Sequence, residues 1–438
     1  MNVLIQGATL PDGRRADLAI ADGVFVEPAE LGAPERTVDA AGLIALPGLV
    51  DLHTHLREPG FEQSETVLTG TRAAASGGYT AVFAMANTDP VQDTAGVVEQ
   101  VQALGERAGY ATVRPIGAVT VGLRGERLAE IGAMAASRAR VRVFSDDGMC
   151  VHDPLLMRRA LEYVKSFGGV VAQHAQDPRL TAGAQMNEGE LSARLGLAGW
   201  PAVAEESIIA RDVLLAEHVG ARLHVCHVST AGAVEVIRWA KARGIAVTAE
   251  ATPHHLLLTE HEAEGYDPRY KVNPPLRAAE DVEALRAGLA DGTIDIVATD
   301  HAPHPAEAKE CAWPEAANGM VGLESALSVV QAAMVETGLL DWADVARVMS
   351  RTPARIGGLR GYGEAFAIGA PAHLALADPA ARTTFSPASL HGRSGNSPYL
   401  GRELPGRVVH VFHGGVPTVA DGELRPAPGD RESSEGAA

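Results

Sequence analysis

The chain alternates two kinds of segment between residues 46 and 358. Short apolar runs end in polar residues, and each is followed by a longer stretch rich in Ala, Leu, Glu and Arg. The short runs have the length of buried β-strands, and the longer stretches repeat their apolar residues at helical spacing. The eight runs end at His55, Asn87, Gly117, Asp147, His174, His227, Glu250 and Asp300. Helical spacing is visible at 64–76, 94–107, 204–218 and 233–243. Eight successive strand–helix units predict an α/β protein with a (β/α)8 TIM-like barrel.

A doubly wound open sheet is the structural alternative to a barrel. That fold binds dinucleotides through a Gly-x-Gly-x-x-Gly turn after its first strand, and no such motif follows the first apolar run here. The pattern therefore favours the barrel.

Short strand-like runs joined by turns lie on both sides of the alternating region. They cover 2–5, 16–20, 24–26, 372–377, 407–412 and 416–419. Together they predict a small discontinuous β-sandwich domain built from both termini. We expect three parts: a composite β domain of 1–47 and 365–425, a barrel catalytic domain of 48–364, and a flexible tail of 426–438 that is rich in Pro, Gly, Glu and Ser.

The charge balance narrows the possible partners. Lys and Arg number 37 against 55 Asp and Glu, which gives a net charge of −18. This excess argues against a nucleic-acid or anionic-membrane partner, but it is compatible with a small anionic substrate. The first residues lack the regions of a signal peptide, no run has the length of a membrane span, and the three cysteines are dispersed. We expect a cytoplasmic protein without a disulfide framework.

The first barrel strand ends in His53-Thr-His55. Side chains in a strand alternate between faces, so both imidazoles point the same way. Asp147, His174 and His227 end later strands, and Asp300 ends the last one. In a barrel the active site lies at the carboxyl ends of the strands, where these side chains would meet.

Four imidazoles and two carboxylates suit one or two divalent cations, zinc (Zn2+) first, with two ions per subunit favoured. Such ions lower the pKa of water and polarise a carbonyl, and a carboxylate such as Asp300 would then pass the proton to a leaving nitrogen. Each residue also has an ordinary structural explanation. His174 and His227 fit hydrogen-bonded core histidines, Asp147 fits a turn before Gly148, and Asp300 fits a helix cap. All four explanations would have to hold at strand ends of one barrel, so we favour the metal site.

Three further residues are candidate substrate ligands. Arg57 follows the two histidines and offers a planar fork to a carboxylate. Asn87 lies in an Asn-Thr-Asp-Pro turn, and His304 follows Asp300 by four residues. A surface arginine, a turn asparagine and a loop histidine are the corresponding structural explanations.

Two stretches carry a family resemblance. Residues 47–60, Pro-Gly-Leu-Val-Asp-Leu-His-Thr-His-Leu-Arg-Glu-Pro-Gly, and residues 298–304, Ala-Thr-Asp-His-Ala-Pro-His, resemble the two signatures of dihydroorotases of the amidohydrolase superfamily. Supporting stretches lie at 85–90, 144–148, 227–230, 252–256, 271–277 and 396–401. The chain is thus similar to class I dihydroorotases over nearly its whole length.

The resemblance implies a metal-dependent cyclic amide hydrolase of de novo pyrimidine (UMP) biosynthesis, which interconverts N-carbamoyl-L-aspartate and L-dihydroorotate. It implies that His53 and His55 bind one metal ion and that His174 and His227 bind the other. It makes Asp147 the bridging ligand, with Asp146 as the neighbouring alternative, and Asp300 both a ligand and the catalytic acid/base. Residues expected to bind substrate are Arg57, Asn87, Asn273 and His304, together with backbone groups of 319–322.

Two departures from the family pattern stand out. Ala175-Gln176 replaces a common Cys-Glu after His174, and the loop at 316–319 replaces a more apolar Pro-Phe-Gly. Neither change removes a proposed ligand, but both bear on metal affinity and loop closure.

Two alternative functions remain at this stage. Hydantoinases and allantoinases share the barrel but use a carboxylated lysine at the fourth strand, where this chain has Asp146-Asp147; Lys165 comes later, in a helical segment. Non-catalytic family members brace aspartate transcarbamoylase and lack metal ligands, whereas this chain keeps all six candidates. Association with aspartate transcarbamoylase stays open for an active enzyme too, and a homodimer is expected from the frequency of such assemblies.

Overall fold

The computed structural model describes residues 1–364, 366–427 and 430. Its strands are β1 (Val3–Thr9), β2 (Arg15–Ala21), β3 (Val24–Val26), β4 (Arg36–Asp39), β5 (Ile44–Pro47), β6 (Leu49–Thr54), β7 (Tyr79–Ala84), β8 (Thr112–Pro115), β9 (Val143–Phe144), β10 (Val170–Gln173), β11 (Met186–Asn187), β12 (Gly199–Trp200), β13 (Leu223–Val225), β14 (Val247–Ala251), β15 (Ile296–Val297), β16 (Leu374–Thr384), β17 (Glu403–His413), β18 (Val416–Ala420) and β19 (Glu423–Leu424).

Helices separate most of the central strands. The α-helices are α1 (Val67–Ser76), α2 (Ala95–Ala108), α3 (Ile131–Ala136), α4 (Pro154–Lys165), α5 (Glu190–Leu195), α6 (Val203–Val219), α7 (Ala231–Ala242), α8 (Pro253–Leu257), α9 (Ala279–Asp291), α10 (Ala306–Lys309), α11 (Ala326–Val330), α12 (Trp342–Ala346) and α13 (Thr352–Ile356). Two π-helical segments, Gln331–Val335 and Arg347–Arg351, extend α11 and connect α12 to α13. Short 3-10 helices lie at Pro28–Glu30, Val121–Leu123, Glu260–Gly265, Pro268–Tyr270, Trp313–Glu315 and Pro387–Ser389. In the part of the chain described, no helix is both long and apolar enough to cross a membrane.

Eight central strands pair in parallel. One sheet has the order β6-β7-β8, and a second has the order β15-β14-β13-β10-β9. A bridge between Gly117 and Phe144 joins the end of β8 to β9, and a bridge between Thr54 and His301 joins the end of β6 to the residues after β15. All residues of β6, β7 and β10 are buried, as expected for parallel strands covered on both faces. The predicted α/β class with a parallel sheet is confirmed.

Strands from the two termini form one further sheet. Its order is β19-β18-β17-β16-β5-β1-β2-β3, with β4 paired to β1. The antiparallel pair of β16 with β5 joins the two halves, with Leu374 opposite Pro47. A separate apolar core, which includes Val3, Ile20 and Phe412, packs on this sheet. Strands from both ends of the described chain therefore belong to one sheet.

The chain passes from this sheet to the parallel strands at Gly48, between β5 and β6. A Cβ atom at Gly48 would lie 2.3 Å from Oγ1 of Thr80. Glycine is required here because β6 begins against β7 without room for a side chain.

Three residues of the expected flexible tail of 426–438 lie within the described part of the chain, namely 426, 427 and 430. Ala427 is buried in an apolar cluster, and Asp430 accepts hydrogen bonds from the side chains of Arg72 and Tyr110. The remaining tail residues, 428, 429 and 431–438, lie outside the described residues, as does residue 365, where the carboxyl-terminal part of the β domain was expected to begin.

Candidate active site

The six candidate ligands lie at or just beyond strand ends. His53 is within β6, His55 and His174 directly follow β6 and β10, and the other three come two or three residues after β9, β13 and β15. All six side chains are buried, with exposed fractions between 0% and 6%. Because parallel strands present their carboxyl ends at one rim, residues far apart in sequence meet there.

One group within this cluster contains His53, His55, Asp147 and Asp300, whose possible ligand atoms all lie within 4.8 Å of one another. Nε2 of His55 is 3.0 Å from Oδ1 of Asp300 and 3.3 Å from Oδ2 of Asp147. Nε2 of His53 is 3.3 Å from Oδ1 of Asp147 and 3.4 Å from Oδ1 of Asp300. Two imidazoles and two carboxylates thus converge on one point.

A second group contains Asp147, His174 and His227. Nδ1 of His174 lies 2.8 Å from Nε2 of His227. These nitrogens lie 3.4 Å and 3.3 Å from Oδ1 of Asp147. Asp147 therefore belongs to both groups and stands between them.

The outer nitrogens of three imidazoles have acceptors, which leaves the inner nitrogens with their lone pairs facing the cluster. Nδ1 of His53 donates to Oε1 of Glu250 at 2.6 Å, and Nδ1 of His55 donates to Oδ1 of Asn87 at 2.9 Å. Nε2 of His174 donates to Oε1 of Gln176 at 2.6 Å. Metal-binding histidines are held in this manner, with the second nitrogen on a hydrogen-bond acceptor.

The inner nitrogen of His53 tests whether the cluster fits a metal ion. Nε2 of His53 is buried and has no hydrogen-bond partner among the described residues, although two carboxylates lie nearby. A buried polar atom without a partner is costly. A divalent cation would satisfy it, and the set of imidazole and carboxylate donors is one that binds such cations. The residues present therefore form a buried His/Asp cluster able to bind metal.

The electrostatics of the cluster also favour a cation. Burial would raise the pKa of Asp147, but the neighbouring imidazoles of His53, His174 and His227 outweigh it and hold that pKa well below its usual value. Burial would likewise raise the pKa of Asp300, but His53 and His55 lower it to about 2. Both carboxylates are therefore ionised at neutral pH. Because they are buried, a bound cation would stabilise them.

Asp146, the alternative to Asp147, points away from the cluster. Its Oδ1 accepts hydrogen bonds from the backbone N–H groups of Val119 and Thr120, at 2.8 and 2.9 Å, and its Oδ2 accepts from the Thr120 hydroxyl. Gly148, with a positive φ of 82°, turns the chain after the two aspartates. Asp146 thus anchors the turn that presents Asp147.

Three site residues other than glycine have positive φ angles. These are Arg57 at 62°, His227 at 29° and Asp300 at 48°. Such conformations cost free energy for residues with a Cβ, and they concentrate at functional sites where the surrounding structure enforces them. At these three residues the positive φ angles turn the backbone just after the strands end, and so change the direction of the side chains.

A cavity of about 290 Å³ opens beside the cluster. Its lining includes the predicted substrate ligands and the segment before α11, and consists of His55, Arg57, Asn87, Asp147, Gly148, His174, Asn273, Asp300, Ala302, His304, Asn318 and Gly319. The structure therefore brings the ten predicted site residues to one place, because His53 and His227 lie directly behind this lining.

The cationic and amide groups of the cavity have defined surroundings. Nε of Arg57 donates to the Pro303 carbonyl at 3.2 Å, and burial lowers the pKa of Arg57 only to about 10, so it stays charged. Burial, followed by the charges of Arg57 and Lys309, lowers the pKa of His304 to about 3. His304 is therefore a neutral imidazole, and its Nε2–H donates to the Asn318 carbonyl at 2.8 Å.

The sequence prediction assigned no role to three residues that touch or adjoin the cluster. Glu250, the second-to-last residue of β14, accepts from Nδ1 of His53 and Nε2 of His224, at 2.6 and 2.9 Å. Gln176 holds His174 and also accepts from Nδ2 of Asn273 at 3.1 Å. His254 is buried, and Nε2 of its ring has no partner in the described part of the chain. Two signals were available in the sequence: Glu250 ends a predicted barrel strand, and Gln176 departs from the family pattern.

The chain is similar in sequence to known proteins. A family model described as dihydro-orotase-like matches residues 42–233. A dihydroorotase from Leifsonia xyli is 75% identical over 423 residues, covering 96% of this chain and 97% of the relative. The chain belongs to the dihydroorotase family.

Other dihydroorotases are also similar over nearly the full length. The one from Streptomyces coelicolor is 67% identical, covering 96% of this chain and 99% of its own, and the one from Mycobacterium tuberculosis is 53% identical, covering 97% and 100%. Among solved structures, L-hydantoinase from Arthrobacter aurescens matches with a TM-score of 0.86 at 26% identity, over 97% of this chain and 98% of its own. A D-hydantoinase matches with a TM-score of 0.81 at 26% identity, over 98% of both chains. This dihydroorotase family member thus shares its architecture with hydantoinases.

Proposed function

We propose that this protein is a class I dihydroorotase, a metal-dependent hydrolase that interconverts N-carbamoyl-L-aspartate and L-dihydroorotate in pyrimidine biosynthesis. The observation that carries the proposal is the buried His/Asp cluster beside a cavity that contains Arg57. Relatives up to 75% identical over nearly the whole chain are dihydroorotases, which supports the same substrate.

We assign the metal ligands from the two groups of the cluster. His53 and His55 would hold one Zn2+ ion, His174 and His227 the second, with Asp147 shared and Asp300 completing the first set. The support is that Asp147 belongs to both groups and that the inner nitrogens face them. When bound, such ions lower the pKa of water and polarise the amide carbonyl of the ring.

Asp300 is our proposed acid/base. Its pKa of about 2 keeps it as a carboxylate, so it starts ring opening as the base that accepts a proton from the attacking water. It then donates that proton to the amide nitrogen as the C–N bond breaks. In ring closure the same carboxylate moves the proton in the opposite direction.

The substrate carboxylate would bind between Arg57 and His304. The guanidinium of Arg57 is buried and charged, and a bidentate pair with a carboxylate satisfies its planar fork. Asn87 and Asn273 would contribute amide groups, and Oδ1 of Asn273 is buried without a partner among the described residues. His304, a neutral imidazole whose N–H is held by the Asn318 carbonyl, would form one wall of the carboxylate site without adding charge.

We also propose the finer architecture. The two parallel sheets and the bridges between them fit a closed (β/α)8 barrel within 48–364, with a composite β domain from 1–47 and 365–425. A two-layer sandwich for that domain, a homodimer, association with aspartate transcarbamoylase and a cytoplasmic location stay predictions.

The deciding experiment is dihydroorotate ring opening by the purified protein, with metal content measured on the same sample. We expect turnover that disappears on chelation and returns with zinc. Turnover of hydantoin or allantoin, but not of dihydroorotate, would favour the second candidate, which the hydantoinase-like architecture motivates. A chain with neither metal nor turnover would be a scaffold, and aspartate transcarbamoylase would be the partner to add.

A further inference from the structure

One wall of the substrate cavity is built from a segment with little regular structure. Asn318 and Gly319 line the cavity, and the preceding residues contain only the four-residue helix α10 and one 3-10 helix, Trp313–Glu315. A wall of this kind needs specific contacts to hold one conformation. The structure shows one group that supplies several of them.

That group is the ammonium of Lys309. Its Nζ donates to the carbonyl oxygens of Ala317 and Gly319, each at 2.8 Å, and to that of Lys271 at 3.2 Å. An ammonium has three donors, so these three acceptors satisfy it. Lys309 is only 5% exposed, and burial, followed by the charge of Lys271, lowers its pKa to about 7. A buried cation in such a place is costly unless these carbonyls hold it.

The three carbonyls belong to two different walls. Ala317 and Gly319 flank Asn318, whose carbonyl accepts the Nε2–H of His304 at 2.8 Å. Lys271 lies two residues before Asn273, on the other wall, and its carbonyl also accepts the N–H of Gly319 at 2.9 Å. Lys309 therefore joins the strand-end loop that carries His304 to the segment that carries Asn273.

The wall has little freedom to readjust. Gly319 has a φ of 132°, and a Cβ there would lie 2.7 Å from Cβ of Ala302 and 3.0 Å from Nε2 of His304. A second tether, Nδ2 of Asn396, donates to the Gly319 carbonyl at 3.2 Å. Loss of the ammonium should thus loosen the wall without removing it.

We propose that Lys309 is a positioning residue for substrate binding, whose ammonium ties residues 317–319 to the Asn273 segment and so fixes the orientation of His304. Lys309 does not line the cavity beside the metal cluster and is not a catalytic residue. The inference rests on the cavity proposed above as the substrate site.

The primary test compares Lys309→Met with the wild type. The KM for dihydroorotate should rise about 10- to 100-fold, the range for losing a charged hydrogen-bond group, while kcat falls less than about threefold. Metal content should not change. Amide hydrogen exchange should speed up in a peptide that covers residues 317–323. Lys309→Arg, which keeps a cation with several donors, should recover part of the lost affinity.

Lys241→Met is the matched control. Nζ of Lys241 donates to the Gly292 carbonyl at 2.9 Å and to Oδ2 of Asp295 at 2.6 Å, next to the amino end of β15. Its loss should lower thermal stability and leave KM unchanged. If Lys309→Met fails to fold, Lys309→Gln keeps amide donors and removes the charge, and it should still raise KM.

A folded Met or Gln variant with KM within about twofold of the wild type, a difference of only a few tenths of a kcal/mol in binding, overturns the inference. If the Lys309 variants leave KM unchanged while Arg57→Lys raises it in the same assay, the role of Lys309 is rejected and the substrate cavity is retained. If neither variant changes KM, the proposed cavity itself is wrong.

Discussion

Glu250 is the residue outside the ligand set on which metal binding should depend most strongly. It is 1% exposed and receives hydrogen bonds from Nδ1 of His53 at 2.6 Å, from Nε2 of His224 at 2.9 Å and from the N–H of His227 at 3.2 Å. Burial would raise its pKa, but His53 and His224 outweigh it and lower that pKa far below the usual value. Glu250 is therefore a carboxylate that contacts one proposed ligand of each metal ion, His53 for the first and His227 for the second.

The size of the effect follows from these contacts. Glu250→Gln keeps the shape and one acceptor but removes the charge. Losing such support behind a metal ligand costs about 10- to 100-fold in metal affinity, which corresponds to about 1.4 to 2.8 kcal/mol. Glu250→Ala should cost more, because it leaves N–H groups of His53 and His224 buried without an acceptor, at about 1 to 3 kcal/mol of stability each.

The assay is competition for zinc between the protein and a chromophoric chelator, with turnover measured at saturating zinc. Glu250→Gln should bind zinc about 10- to 100-fold more weakly, and KM at saturating zinc should stay near that of the wild type. Asp295→Asn is the control, because this carboxylate binds Lys241 and the Ala249 N–H, remote from the cluster. Zinc affinity of Glu250→Gln equal to that of the wild type would refute the reasoning.

Three further predictions use other parts of the structure. Asp300→Asn should lower kcat by about 100-fold or more, as expected for losing a proton-transfer group, with most bound metal retained; a near-normal kcat would reject the acid/base assignment. Arg57→Lys should raise the KM for dihydroorotate about tenfold, because a point charge cannot replace a bidentate fork; steady-state kinetics with an unchanged KM would reject carboxylate binding. Burial raises the pKa of Glu324 to about 8, so between its unfolded value and about pH 8 the folded state holds the extra proton. Stability should therefore fall as pH rises through that window, by at most about 1.4 kcal/mol per pH unit. Chemical denaturation of Glu324→Gln should show a weaker dependence than the wild type, and equal slopes would contradict this.

The fold was predictable where apolar runs are long and uniform. β6, β7 and β10 lie where the pattern predicts them, because strands buried on both faces have continuous apolar sequences. β9 and β15 contain only two residues each, whereas the predicted runs reach Asp147 and Asp300. The chain leaves the sheet early there, and at Asp300 it does so through a positive φ that no local propensity indicates.

The candidate site was predictable as far as its residues end strands. His53, His174 and Asp300 carry chemistry at the rim where a barrel places its active site. The residues that hold these side chains and the cavity wall in place could not be predicted in the same way. Glu250 lies 197 positions from His53, and Lys309 acts through backbone carbonyls, which leave no trace in side-chain patterns.

The central claim is that the His/Asp cluster binds the metal ions on which dihydroorotate turnover depends. The most direct test is titration of the metal-free protein with zinc while bound zinc and ring opening are measured together, for the wild type and for Asp147→Ala. We predict that turnover in the wild type rises with zinc until about two ions per chain are bound, and that Asp147→Ala, lacking the shared ligand, loses both binding and turnover. Full turnover of the metal-free protein, or unchanged zinc binding by Asp147→Ala, would contradict the account.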